Sequence, residues 1–110
     1  MKDVKNEALL LDFYGGLLKD KQREIYEASV MEDMSLSEIS EEYGISRQAV
    51  SAMLNRCRKT LEGYEEQLKL IDRFKQTEAL TLEIKMTALK SGGKDMKRIA
   101  ELCDKILGEL

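Results

Sequence analysis

Apolar residues recur every three or four positions along this 110-residue chain, with charged residues filling the gaps. That spacing is helical, because side chains at i, i+3, i+4 and i+7 share one face of a 3.6-residue turn. Val4, Ala8, Leu10, Leu11, Tyr14 and Leu18 predict a first helix from about Asp3 to Leu18. Gly15-Gly16 inside it costs roughly 1 kcal/mol per glycine relative to alanine, a cost that close packing against another helix would justify; a fray or kink is the alternative. Asp20 predicts the N-cap of a second helix from Lys21 to about Glu32, with Ile25, Ala28, Val30 and Met31 turned inward. Ser35-Leu36-Ser37-Glu38 has the spacing of a capping box, in which serine and glutamate each satisfy a free backbone N–H. A short third helix follows, with Leu36, Ile39 and Tyr43 inward and Gly44 as its stop.

Ser46 predicts the cap of a fourth helix starting at Arg47. Val50, Leu54, Cys57, Leu61, Tyr64, Leu68 and Ile71 then alternate four- and three-residue steps, the seam of a helix packed lengthwise on another. No proline or strong cap interrupts the stretch, so the helix is expected to run to about Lys90, with Gly63 its one weak point. Ser91-Gly92-Gly93-Lys94 is the clearest break in the chain. Asp95 then caps a last helix to about Leu107, with a stripe of Met96, Ile99, Cys103, Ile106 and Leu110. Folding this helix back as an antiparallel hairpin would cover that stripe and the Leu80 to Leu89 stretch.

Proline is absent and period-2 alternation is missing, so the fold class is all-α. The expected architecture is a helix-turn-helix head, sigma-factor region 4-like, over residues 1–60. A long fourth helix and a C-terminal hairpin follow over 61–110, within one structural unit.

Ser35 to Arg56 reads as helix, glycine turn, second helix, with Leu36, Ile39, Ile45, Val50 and Met53 placed to brace the crossing. A helix-turn-helix leaves one face of its second helix free for the major groove. Here that face is Arg47, Gln48, Ser51, Ala52 and Asn55. Residues 47–60 carry Arg47, Arg56, Arg58 and Lys59 and no acid, a local net charge of +4 in a chain of net −3. A basic island on the second helix is the footprint expected of nucleic-acid binding. The candidate DNA- or RNA-binding residues are therefore Ser46, Arg47, Gln48, Ser51, Asn55, Arg56 and Lys59. The same geometry also serves simply to pack three helices or to bind protein, and four cations cannot bind nucleic acid tightly alone.

Other chemistry is poorly supplied. Histidine is absent, which removes the commonest general base and the commonest zinc ligand. Cys57 and Cys103 both fall on apolar stripes and are expected to be buried free thiols. Neither glycine pair has phosphate-loop spacing, and the 21 carboxylates lie beside lysines at helix-surface spacing. No catalytic residue, metal site or cofactor is expected, and the chain is not expected to be an enzyme. With 35% charged residues and no apolar run of about 18–20 residues, nothing suggests membrane insertion. The charged N-terminus is unlike a secretory signal, so the expected location is cytoplasmic.

The seam also predicts a homodimer. Its first part must serve the motif's own core, leaving Leu61, Tyr64, Leu68 and Ile71 as an expected dimer interface; the alternative is that helix one folds over this strip within one chain.

Several segments resemble the YlxM family: Asp12-Phe13-Tyr14-Gly15 with Leu17-Leu18, Lys21-Gln22, Ser35-Leu36-Ser37-Glu38-Ile39, Ile45-Ser46-Arg47-Gln48-Ala49-Val50, and Leu61 with Tyr64-Glu65 and Leu68. The match spans nearly the whole chain, and the flanking Asp-Phe-Tyr-Gly and Tyr-Glu segments are its specific part. The resemblance implies a helix-turn-helix regulatory protein tied to the signal recognition particle pathway, with components of that particle as partners. It also leaves room for an adaptor that binds the pathway's GTPases through the long helix without touching nucleic acid. The family is expected to carry larger polar residues where this chain has Ser51-Ala52-Met53. That departure favours phosphate, RNA or protein contact over base reading.

Overall fold

The computed structural model describes residues 4–110, which form two units divided between Lys69 and Leu70. No strand occurs among the described residues. The all-α expectation holds.

The first unit holds α1 (Val4–Tyr14), a 3-10 turn (Gly15–Leu17), α2 (Asp20–Val30), α3 (Leu36–Tyr43) and α4 (Arg47–Leu68). The expected first helix stops at Tyr14 and tightens into the 3-10 turn. Gly15 is buried there, and a Cβ on it would lie 2.9 Å from Leu11 Cδ1. Close packing is thus what the glycine permits. Asp20 is the first residue of α2 and Lys19 its cap position, without a side-chain cap bond. Ser35 and Glu38 form the capping box in both directions, each bond 3.1 Å. Hydrogen bonding from the Ser35 backbone N–H first, and from its side chain second, holds the Glu38 carboxyl below its ordinary pKa. Gly44 ends α3 at φ 66°, a left-handed conformation that any Cβ would strain. The Ser40 hydroxyl then donates to the Ile45 carbonyl at 2.5 Å, closing the turn before Ser46 caps α4.

Leu10, Leu11, Tyr14, Ile25, Tyr26, Ile39, Val50, Leu54, Cys57 and Leu61 form the core of this unit. Burying each large apolar side chain contributes about 1.5–3 kcal/mol. Two residues expected inside it lie outside: Leu36 and Met31 are exposed, because α3 packs through Ile39 and α2 through Ile25 and Ala28.

The long fourth helix breaks at Lys69, which caps α4 in the left-handed conformation at φ 56°. Gly63, the expected weak point, is ordinary helix. The heptad seam is covered by α1, α2 and α3, which all pack on α4, and it lapses at the C-terminal end of that helix. Val50 to Leu61 are buried, Tyr64 is half-buried and Leu68 is exposed.

The second unit is an antiparallel hairpin of α5 (Leu70–Ser91) and α6 (Lys94–Glu109). Gly92 and Gly93 make its turn at φ 71° and 92°, and Gly93, not Asp95, is the cap position of α6. Small residues fill the inner face: Thr81, Ala88, Ala100 and Cys103 are buried, and the Lys85 ammonium reaches Asp104 Oδ1 at 2.7 Å. The expected apolar stripe of the last helix is only partly covered: Cys103 is buried, and Met96 and Ile99 are half-buried. Ile106 and Leu110 of α6, and Leu80 and Leu89 of α5, are all exposed.

Candidate nucleic-acid interface

Burial of Val50, Leu54, Cys57 and Leu61 sets the rotation of α4, and with it the residues left outside. Arg47, Gln48, Ala52, Asn55, Arg56 and Lys59 are exposed, and Ser51 is half-buried at the edge. Gln48, Ala52, Asn55 and Lys59 follow at steps of four, three and four residues, so they form one outward ridge. Arg47 stands in the first turn and Arg56 beside the ridge. Neither they nor Lys59 has a carboxylate partner among the described residues.

Ser46 is brought to the same end but is already engaged, its hydroxyl oxygen accepting the Ala49 N–H at 3.0 Å as the helix cap. Ser51 and Asn55 face a shallow groove of about 300 Å³ between α4 and the α2–α3 connection, lined also by Ser35, Leu36 and Arg58.

One cation of the basic island is not free. Arg58 Nε donates to Glu7 Oε1 at 2.9 Å, and Glu7 is 4% exposed. The pair leaves Arg47, Arg56 and Lys59 as the exposed charge. Sequence reasoning overlooked Glu7, which at its position on a charged N-terminal segment resembles any surface acid. The signal available was its i−3 relation to Leu10 and i+3 relation to Val4, on the apolar stripe.

The strip expected to face a second chain is partly spent within this one. Leu61 is fully buried, Tyr64 lies 6.0 Å ring to ring from Tyr14, and Ile71 is buried, leaving Leu68 exposed. For Leu61 and Tyr64 the physical reason is α1, which packs on α4; Ile71 belongs to α5 of the second unit.

Burial raises the Cys57 thiol above its usual pKa, so it stays protonated and a poor nucleophile; both cysteines are buried and free. No group of three or more His, Cys, Asp or Glu side chains among the described residues could hold a metal ion. No helix among them is long and apolar enough to cross a membrane.

Residues 1–102 match the family model UPF0122, described as "Putative helix-turn-helix protein, YlxM / p13 like". Relatives agree. A UPF0122 protein of Desulforamulus reducens is 42% identical over 84 residues, covering 76% of this chain and 72% of its own. One of Symbiobacterium thermophilum is 46% identical over 71 residues, 64% of this chain and 66% of its own. One of Bacillus cereus is 36% identical over 99 residues, 88% of this chain and 90% of its own. With the capping box, the left-handed Gly44 and the capped second helix all in place, the chain belongs to the YlxM-like UPF0122 family of helix-turn-helix proteins.

Proposed function

We propose that this chain is a nucleic-acid-binding regulatory protein that acts by binding, not catalysis, in the cytoplasm and within the signal recognition particle pathway. The observation that carries the binding step is the exposed set Arg47, Arg56 and Lys59 on the second helix of the motif, with Gln48 and Asn55 between them. Lysine and arginine displace counterions from phosphates, and amide side chains add hydrogen bonds to phosphates or base edges. The pathway comes from the family resemblance.

Three exposed cations neutralise few phosphates, so we infer that the working form is a homodimer that presents two such helices. The surface suited to the second copy is the outer apolar face of the hairpin. Leu80, Ile84, Met96 and Ile99 line one groove there, and Leu102 and Ile106 of α6 are further exposed apolar residues. This replaces the strip that α1 occupies.

The same exposed apolar face favours a second reading, an adaptor that contacts the GTPases of the targeting machinery. Parallel binding assays of the purified chain against duplex DNA, the particle's RNA and its GTPases separate the two. Salt-sensitive binding to DNA or RNA supports the regulator; binding to a GTPase alone supports the adaptor.

A further inference from the structure

Arg58 joins two residues that the sequence keeps far apart in character. Its Nε donates to the buried Glu7 carboxylate at 2.9 Å, and its Nη1 donates to Asn55 Oδ1 at 3.2 Å. Guanidinium has donors only, so it can engage Asn55 only through the carbonyl oxygen of that amide. The amide orientation is thereby set. Asn55, which lines the groove, turns Oδ1 to Arg58, and its Nδ2, with two N–H groups, has no hydrogen-bond partner among the described residues.

We infer that Glu7 is a positioning residue of the binding face: through Arg58 it fixes the orientation of the Asn55 amide, so that its N–H groups are presented to acceptor atoms of nucleic acid. The inference rests on the nucleic-acid reading above and deepens it. An asparagine that recognises adenine needs both halves of its amide, Oδ1 for the N6 amino group and Nδ2 for N7. Here one lone pair of Oδ1 is already held by Arg58, so the two N–H groups are the unengaged half of the amide. They fit phosphate oxygens or base-edge acceptors, of which guanine presents two side by side, O6 and N7. Glu7 also cancels the charge of Arg58, so Arg58 shapes recognition without adding to phosphate neutralisation. The remaining oxygen of Glu7, Oε2, is buried without a hydrogen-bond partner among the described residues, where Arg58 is the ion-pair partner of this carboxylate.

The test uses the full chain and two readouts. The first is the Asn55 side-chain amide signal in ¹⁵N–¹H spectra without nucleic acid. Arg58→Ala and Glu7→Gln are expected to shift it and loosen its motion; an unchanged signal in both variants overturns the relay. The second is salt-titrated binding to a G·C-rich and an A·T-only DNA duplex. Arg58→Ala should weaken binding with the salt slope unchanged, and Glu7→Gln should steepen the slope by about 0.9, one phosphate, as Arg58 is released. A merely structural role for Glu7 would lower affinity without steepening the slope. A slope flattened by about 0.9 in Arg58→Ala would mean that Arg58 itself holds a phosphate, and would overturn the inference. Asn55→Ala should cost equally on both duplexes if phosphate is the target and mainly on the G·C-rich one if guanine is. No binding by the wild-type chain to either duplex would remove the nucleic-acid reading itself, a failure the spectra distinguish from failure of the relay.

Discussion

The Tyr14 hydroxyl donates to Glu65 Oε1 at 2.5 Å across 51 residues of sequence, and the Tyr14 ring lies against that of Tyr64. The two segments that mark the family, Asp-Phe-Tyr-Gly and Tyr-Glu, are thus one contact in space. Their joint role is to clamp α1 onto α4 beside the 3-10 turn at Gly15. Tyr14→Phe removes one part-buried, charge-assisted hydrogen bond and is expected to destabilise the chain by about 1–3 kcal/mol. Urea unfolding of Tyr14→Phe, Glu65→Gln and the double variant checks it; fully additive losses would show that the two residues are not coupled.

Lys69 offers a test of the break between α4 and α5. A non-glycine residue in the left-handed region costs about 1–2 kcal/mol, so Lys69→Gly is expected to stabilise the chain by up to about 1 kcal/mol. In an uninterrupted helix the same change would cost about 1 kcal/mol. The sign of the shift in urea midpoint decides.

Tyr26 is buried, its hydroxyl has no partner among the described residues, and its pKa is pushed up to about 12 by burial first and the Glu7 charge second. A phenol that holds its proton more tightly folded than unfolded contributes stability in full below its unfolded pKa of about 10. That stability is lost as pH rises through the folded value. Thermal unfolding should therefore show a decline from about pH 10 toward 12 that Tyr26→Phe reduces. Because the hydroxyl makes no bond, this substitution should cost under about 1 kcal/mol at neutral pH.

Much of this was legible in the residues. The capping box at Ser35, the stop at Gly44 and the turn at Gly92-Gly93 each depend on local chemistry that one residue type satisfies best. The break at Lys69 was not legible, because lysine carries no preference for that conformation and the heptad spacing continues through it. The hairpin interior was hidden for another reason: it is built from Thr81, Ala88 and Ala100, and a search for large apolar stripes passes over small residues. Of the candidate site, the exposed face of α4 followed from the periodicity of its buried one. The loss of Arg58 to Glu7 did not, since an ion pair 51 residues apart leaves no mark in spacing.

A second copy seated on the hairpin's apolar face predicts a two-chain mass by light scattering at micromolar concentration. Leu80→Asp with Ile84→Asp should return the chain to one copy while leaving its helical circular dichroism intact. A wild-type mass of one chain would remove the homodimer and strengthen the adaptor.

In the proposed function, the second helix of the motif binds nucleic acid through Arg47, Arg56 and Lys59. The salt dependence of binding tests it most directly, compared between the wild-type chain and Arg47→Ala/Arg56→Ala. The slope of log affinity against log salt should fall by about 1.8 per chain, two phosphate contacts at about 0.9 each, with folding unchanged. An identical slope in the two proteins, or no salt-sensitive binding to either DNA or RNA by the wild type, would contradict it.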